Sequence, residues 1–139
     1  NGEKFITLFL AKYNYLNKKL EYINAGHNPP LFYDITSRTL SQLKSGCVGM
    51  GMLDEIPKIS LETIPVHGPT KLLMYTDGLV ELIEGEDVGY GYKFIEQEIS
   101  NDDTIDANIS EIIIQQKIEE ENNAIFDDIS ILGIEFTGN

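Results

Sequence analysis

Two short acidic segments lie at the ends of apolar runs that have the character of β-strands. One is Tyr75-Thr76-Asp77-Gly78, which follows an apolar run from residue 71, and the other begins Phe126-Asp127-Asp128. A carboxylate at a strand end has a rigid support, and carboxylate oxygens are the ligands that Mg²⁺ and Mn²⁺ prefer. We therefore predict that Asp77 and Asp127 share one cation site.

The composition is typical of a single globular domain. The chain has 139 residues, of which 42% are hydrophobic and 24% charged, which is enough apolar material for a core. No apolar run approaches the roughly 20 residues that span a bilayer, and the first residues lack a basic-then-apolar signal pattern. The single cysteine, Cys47, excludes an internal disulfide and a CxxC motif. We predict a cytoplasmic domain.

The net charge argues against two classes of partner. With 23 acidic and 10 basic residues, the formal charge is −13. Such a chain repels the phosphates of nucleic acids and anionic lipids. We therefore expect it to bind neither nucleic acid nor membrane.

Strands dominate the first half of the sequence, as β-prone and alternating runs separated by turn residues indicate. We predict six of them, at residues 5–11, 20–24, 31–34, 39–43, 59–66 and 71–76. The first two are expected to form one hairpin and the next two a second hairpin.

The second half changes to a helical period. We predict helices at residues 90–99 and 104–121, the second with Asp102 or Asp103 as its N-cap. Its apolar face should carry Ile105, Ile109, Ile112 and Ile113. A final alternating strand at 128–136 completes an α+β fold.

Four motifs in order resemble those of one phosphatase family. They are Asn-Ala-Gly-His-Asn-Pro-Pro at 24–30, Gly-Cys-Val-Gly-Met-Gly at 46–51, Tyr-Thr-Asp-Gly at 75–78 and Asp-Asp-Ile-Ser at 127–130. Each is weak alone, but the ordered set is similar to the PPM-type metal-dependent serine/threonine phosphatases, and most similar to their SpoIIE/RsbU-like bacterial branch.

The resemblance implies an antiparallel β-sandwich flanked by helices, with two Mn²⁺ or Mg²⁺ ions at one end. In such a site the metals activate a water that attacks phosphoserine or phosphothreonine, so no separate catalytic side chain is implied. Asp77 and Asp127 match metal-ligand positions. Gly78 and Asp128 are their neighbours in the motifs.

One family motif is missing. Family members carry an early Gly-Asp motif whose aspartate bridges the two metals, and no Gly-Asp pair occurs in this sequence. We therefore expect residues 1–139 to be a single domain that forms the C-terminal portion of a phosphatase domain, with the N-terminal strands and helices missing. Two aspartates alone hold a metal weakly, so we expect the isolated chain to be inactive.

Several residues of these motifs have a second interpretation. Asp77-Gly78 taken alone is typical of a turn, and Asp127-Asp128 of a cap at the start of a strand. His27 is either a general acid or, as we favour, a residue that fixes its own loop. Gly49 and Asn28 belong to loops that either contact the substrate or simply connect strands.

The expected partner is a phosphoprotein resembling an anti-sigma-factor antagonist. The alternative is a non-catalytic module that binds a phosphoprotein or dimerises. Because the missing strands would leave open sheet edges, we also expect these edges to be able to pair two copies into a homodimer.

Overall fold

The computed structural model describes residues 4–44, 46–53, 55, 58–84, 89–122 and 127–138. The chain divides into two compact units: Asn1–Pro29 with Gln42–His67, and Pro30–Ser41 with Gly68–Asn139. The described elements, in chain order, are β1 (Leu8–Asn14), β2 (Lys19–Ala25), β3 (Leu31–Asp34), β4 (Thr39–Gln42), β5 (Glu62–Pro65), β6 (Thr70–Tyr75), α1 (Asp77–Glu84), α2 (Tyr90–Ile99), α3 (Ile105–Asn122) and β7 (Ile131–Phe136).

The first unit contains an antiparallel sheet with the strand order β1-β2-β5. The predicted hairpin is confirmed, although β1 starts at Leu8 and not at Phe5. Asn14 pairs with Lys19 at its end, so a four-residue loop joins the two strands. The Asn14 Oδ1 atom accepts hydrogen bonds from the backbone N–H groups of Leu16 (3.0 Å) and Asn17 (3.3 Å). This side chain therefore closes the turn.

The second unit contains an antiparallel sheet with the order β4-β3-β6-β7 and all three helices. Strand β6 is one of the two inner strands of this sheet and is almost entirely buried, as its continuous apolar run predicts. One face of the sheet and the inner faces of the helices form the core, whose buried members are Leu31, Tyr33, Leu73, Tyr75, Leu79, Val80, Ile83, Ile95, Ile99, Ile105 and Ile112.

Helix α2 has the predicted bounds, but the start of α3 differs from the prediction. Its N-cap is Thr104, whose Oγ1 accepts a hydrogen bond from the Ala107 N–H at 3.2 Å. Neither Asp102 nor Asp103 has that role, and the Asp102 carboxylate instead pairs with Arg38 at 3.1 Å. Ala107 stands three residues after Thr104, which is the position that a capping hydroxyl reaches.

The buried face of α3 also differs from the prediction in one position. Ile105 and Ile112 are buried and Ile109 is partly buried, as expected, but Ile113 is 37% exposed. Asn108 is buried instead. Gly133 of β7 lies against this helix, and a Cβ placed there would lie 2.5 Å from Ile105 Cγ1. The glycine thus allows α3 to pack closely on the sheet.

Lys71 of β6 is fully buried. Its Nζ donates hydrogen bonds to the carbonyl (3.0 Å) and side-chain oxygen (3.1 Å) of Asn101, the Asp103 carbonyl (3.1 Å) and Asn108 Oδ1 (2.7 Å). The ammonium also lies 5.3 Å from the centroid of the Tyr33 ring. Burial lowers the pKa of Lys71, and nearby carboxylates, Asp103 first, partly oppose this effect. A single side chain of the sheet therefore holds the α2–α3 connection.

Helix α1 was not predicted from the sequence, in which Asp77-Gly78 alone is typical of a turn. The two antiparallel sheets and three helices agree with the predicted α+β class. No helix in the described part of the chain is long and apolar enough to cross a membrane.

Candidate metal centre

Asp77 is the first residue of α1, directly after Thr76 at the end of β6. The helix forms here because Gly78, Leu79, Val80, Leu82 and Ile83 are all buried. Its macrodipole favours a carboxylate at this end. The Asp77 Oδ1 accepts a hydrogen bond from the Gly78 N–H at 3.1 Å, which helps to orient the carboxylate.

Thr76 ties the end of β6 to the segment before β7. Its N–H donates to the Ser130 carbonyl (3.1 Å), and its Oγ1 donates to the Asp128 carbonyl (3.0 Å) and accepts from the Ser130 N–H (3.0 Å). These bonds extend the β6–β7 ladder, in which Tyr75 pairs with Ile131. Residues 127–130 are thereby held beside the start of α1.

Gly78 lies directly against the second acidic segment. A Cβ at this position would lie 3.3 Å from the Asp127 Cβ and 2.9 Å from the Asp128 carbonyl oxygen. No side chain therefore separates the turn that carries Asp77 from the residue that carries Asp127. The two aspartates are 50 positions apart in sequence, yet they occupy adjacent segments at one end of the sheet.

The side chains of both aspartates are suitable donors for a hard cation. Asp77 and Asp127 are exposed. The Asp127 Oδ1 accepts a hydrogen bond from the Asp128 N–H at 2.8 Å, as Asp77 Oδ1 does from Gly78, so in each carboxylate one oxygen is oriented by the backbone. Asp128 itself is exposed and contributes its carbonyl to Thr76.

Two aspartates alone do not make a complete set of protein ligands for a metal ion. Among the described residues, no group of three or more histidine, cysteine, aspartate or glutamate side chains has the geometry to hold a metal ion. Phe126, with which the second motif begins, lies outside the described residues.

Tyr92 on α2 belongs to the electrostatic surroundings of Asp77, and sequence reasoning missed it. Burial raises the pKa of its phenol, and the carboxylates of Asp77, Glu84 and Glu81 raise it further. Gly91, the residue before Tyr92 in α2, packs against the Val80 carbonyl of α1. Because it has no side chain, the two helices can approach each other closely. No sequence signal identifies such a neighbour, since it depends on how two helices pack.

His27 and Asn28 lie in the first unit, where the structure binds the histidine into its own turn. The His27 N–H donates to Asn24 Oδ1 at 2.9 Å, and the ring Nδ1 lies 2.7 Å from the Asn28 carbonyl oxygen. Because a carbonyl only accepts, Nδ1 carries the proton in the neutral ring. The ring is tilted against Phe9, with centroids 6.4 Å apart. These contacts favour the loop-fixing interpretation of His27.

Asn24 is a second residue that sequence reasoning missed. It is 1% exposed, and its Nδ2 donates to the Leu43 carbonyl at 2.9 Å while its Oδ1 holds His27. Its own carbonyl accepts from the N–H groups of Gly46 (3.1 Å) and Cys47 (3.3 Å). The available signal was its place as the first residue of the motif at 24–30, for which no structural role was predicted. One buried residue thus holds the 24–30 turn through its side chain and the 46–51 loop through its main-chain carbonyl.

The 46–51 loop is fixed by its backbone. The N–H groups of Ile6 and Met50 each donate to the carbonyl of the other, at 2.9 and 2.8 Å. Gly26, with φ of 68°, lies so close to the loop that a Cβ there would be 2.8 Å from the Gly49 nitrogen. Gly49 is buried, and a Cβ on it would lie 3.3 Å from the Ile6 carbonyl oxygen. Both glycines therefore serve a close approach of backbone segments.

A family model matches almost the whole chain. The model for stage II sporulation protein E (SpoIIE) matches residues 1–137. The chain belongs to the SpoIIE family. This finding confirms the resemblance inferred from the four motifs.

A curated relative of this SpoIIE-family chain is Protein IcfG of Synechocystis sp., which is 27% identical over 131 residues. The match covers 94% of this chain and 20% of that protein.

Solved structures share the fold. The PP2C domain of SiaA from Pseudomonas aeruginosa has a TM-score of 0.76 at 16% identity, covering 94% of this chain and 51% of that one. The SpoIIE phosphatase domain of Bacillus subtilis, presoaked with Mn, has a TM-score of 0.68 at 16% identity, with coverages of 96% and 57%. A Mycobacterium tuberculosis protein with RsbU and RsbW domains has 0.71 at 17%, with coverages of 95% and 37%. The likeness confirms the predicted PPM-type fold, and the chain spans about half of the isolated phosphatase domains it matches.

Proposed function

We propose that this chain is part of a metal-dependent phosphoprotein phosphatase that hydrolyses phosphoserine or phosphothreonine. The proposal rests on one observation: the β6–β7 pairing and the absence of a side chain at Gly78 bring Asp77 and Asp127 to one end of the sheet. Membership of the SpoIIE family supports a protein phosphatase in general terms.

The two carboxylates fit Mn²⁺ or Mg²⁺, because these cations take oxygen ligands from one or two carboxylates and keep several waters. Relatives of the same fold include a domain presoaked with Mn and the RsbX protein in complex with magnesium. When bound, the metal supplies an acidified water and offsets the charge that develops on the phosphoryl group. We propose Asp77 and Asp127 as ligands in a complete site of two ions.

The remaining residues of the site keep these two carboxylates in position. Thr76 joins their segments through three hydrogen bonds, and Gly78 leaves room for Asp127. Asp128 orients Asp127 through its N–H. We propose no general acid: His27 is engaged in its own turn, and Asn28 and Gly49 stay predictions as substrate contacts.

The proposed substrate is a phosphoprotein of the anti-sigma-factor-antagonist type. At a net charge of −13 the chain repels a phosphorylated partner at long range. A divalent cation at Asp77 and Asp127 would cancel the charge of these two carboxylates, so binding of substrate should depend on the metal.

We further propose that residues 1–139 are a single domain forming the C-terminal portion of a phosphatase domain, and that they are inactive alone. Support comes from the missing Gly-Asp motif and from the two-carboxylate site of the described residues. A cytoplasmic location and pairing through open sheet edges stay predictions.

The experiment uses a chain extended upstream of Asn1. Binding of Mn²⁺ is measured by calorimetry, and hydrolysis of p-nitrophenyl phosphate is measured with saturating Mn²⁺. Asp77→Asn and Asp127→Asn should each lower Mn²⁺ affinity about tenfold or more, because each removes one charged ligand. Asp106→Asn, which alters an exposed carboxylate in the first turn of α3, is the matched control and should change neither quantity.

The outcomes separate the two candidate functions. Unchanged Mn²⁺ affinity in both ligand variants would refute the metal site. Binding of a phosphoprotein without any Mn²⁺-dependent hydrolysis would instead favour the non-catalytic binding module.

A further inference from the structure

The tip of the β1–β2 hairpin presents two adjacent large apolar side chains to solvent. Tyr15 is 70% exposed and Leu16 is 79% exposed, the highest values among the exposed large hydrophobic residues that the structure describes. Single exposed apolar residues are ordinary on protein surfaces. An adjacent pair at the end of a projecting hairpin is a better candidate for a contact, because both side chains can enter one recess.

The tip is held in one conformation before any partner arrives. The Asn14 side chain accepts from the N–H groups of Leu16 and Asn17, and Lys18 has a left-handed φ of 54°. The Lys18 carbonyl accepts from the Val66 N–H at 2.8 Å, which anchors the turn to the adjoining segment. A preorganised loop loses little conformational entropy on binding.

The tip differs in charge from the rest of the chain. Residues 12–19 contain Lys12, Lys18 and Lys19 and no acidic residue. Removing these three lysines from the count leaves 23 acidic and 7 basic residues, so the remainder carries a charge of −16 against −13 for the whole chain. A basic and apolar tip therefore complements an acidic and apolar surface, and this chain itself has such surfaces.

The C-terminal half of α3 provides the matching surface. The helix has no buried residue after Ile112, and Ile114 and Ile118 are 51% and 48% exposed. They lie four residues apart, and exposed Glu111 and Glu121 stand three residues before and after them, so all four share one stripe, which exposed Lys117 borders and which stays acidic by one charge. The negative end of the helix dipole adds to the attraction for lysine.

We propose that the hairpin tip of one copy docks on the Ile114–Ile118 stripe of α3 in a second copy. Tyr15 and Leu16 then cover the isoleucines, and the lysines of the tip approach the glutamates. The contact joins two different surfaces, so it is head-to-tail and can continue beyond a dimer. It is independent of the proposed phosphatase activity. Because only two large side chains of the tip enter the contact, the association is weak and sensitive to salt.

Sedimentation velocity of the upstream-extended chain tests the proposal, at concentrations from about 10 to about 500 μM. The parent chain should associate at about 0.15 M salt, where the repulsion between two copies of charge −13 is largely screened, and dissociate in about 1 M salt, where the short-range lysine–glutamate pairs are screened too. Tyr15→Ser with Leu16→Ser should weaken association at least tenfold. The matched control is Leu61→Ser with Leu132→Ser, which removes side chains of 60% and 58% exposure from other surfaces and should leave association unchanged.

Complementation distinguishes a head-to-tail contact from a symmetric one. Ile114→Ser with Ile118→Ser should also give a monomer. A mixture of the tip variant and the helix variant should associate again, since one keeps a working tip and the other a working stripe. Unfolding transitions of both variants should match that of the parent, because all four residues are exposed.

Three results would overturn the proposal. The first is a monomeric parent chain, and the second is association that does not respond to the tip variant. The third is a mixture that stays monomeric. Binding of a monomeric parent to vesicles with about 30% phosphatidylserine, lost in the tip variant, would assign the tip to a membrane instead.

Discussion

Gly78→Ala is the substitution that most directly links packing to the candidate metal centre. An alanine Cβ would lie 2.9 Å from the Asp128 carbonyl oxygen, about 0.4 Å inside the shortest usual C···O contact of about 3.3 Å. It would also lie 3.3 Å from the Asp127 Cβ. Backbone on one side and a helix start on the other leave little room, so the 127–128 segment must shift.

Two opposing terms determine the change in the free energy of unfolding. Alanine is favoured over glycine in a helix by about 1 kcal/mol. Overpacking against backbone costs about 1–3 kcal/mol. We therefore expect a net destabilisation of about 0–2 kcal/mol. Metal binding should be more sensitive, because displacement of a group that orients a ligand typically lowers affinity about 10- to 100-fold.

The assay is calorimetric Mn²⁺ titration of the upstream-extended chain, together with urea unfolding. Gly89→Ala is the matched control, since a Cβ there meets nothing within 4 Å, although φ of 86° makes alanine strained. It should cost about 1 kcal/mol of stability and leave Mn²⁺ affinity unchanged. Parent-like Mn²⁺ affinity in Gly78→Ala would refute the inference that Gly78 sets the position of Asp127.

Three further substitutions test the fold around the site, each by urea unfolding. Lys71→Met should cost about 3 kcal/mol because a fully buried ammonium and its four hydrogen bonds are lost, with exposed Lys117→Met as control, and a loss below about 1 kcal/mol would contradict it. Thr104→Ala should cost about 1 kcal/mol and Asp103→Ala clearly less, whereas the reverse order would restore Asp103 as the cap. The raised pKa of Tyr92 means that its protonated phenol stabilises the fold below pH about 10, and that this contribution is lost as pH rises through the folded pKa. The free energy of unfolding of Tyr92→Phe should therefore fall less than that of the parent as the pH rises from about 9 to about 11. An equal fall in both proteins would argue against the effect. Tyr15→Phe at the hairpin tip is the control.

Much of the fold could be predicted because its elements have clear periods. The apolar run of β6 and the alternation of β2 each specify a strand, and the period of α2 gave its bounds. Helix α1 was missed because it has eight residues and a glycine in second position, so local propensity is poor. Burial of Leu79 and Ile83 in the core stabilises it, and that is a tertiary effect.

The candidate site could be predicted only in part. Asp77 and Asp127 were identified from their motifs, but their proximity depends on the pairing of β6 with β7 across 50 residues. The three hydrogen bonds of Thr76 and the double role of Asn24 depend on partners distant in sequence. The sequence around a hydroxyl or amide side chain does not indicate which distant residue it will bond.

The contacts of Lys71 also determine which positions of the α2–α3 connection can vary among natural sequences. Asp103 bonds Lys71 only through its main-chain carbonyl, so this hydrogen bond does not restrict the side chain, and its carboxylate acts on the ammonium only through charge. Asn101 contributes both carbonyl and side-chain oxygens and also bonds Asn108, so it should tolerate few replacements. Sequence drift in this connection should accordingly concentrate at 102 and 103 while 101 and 108 change together with 71.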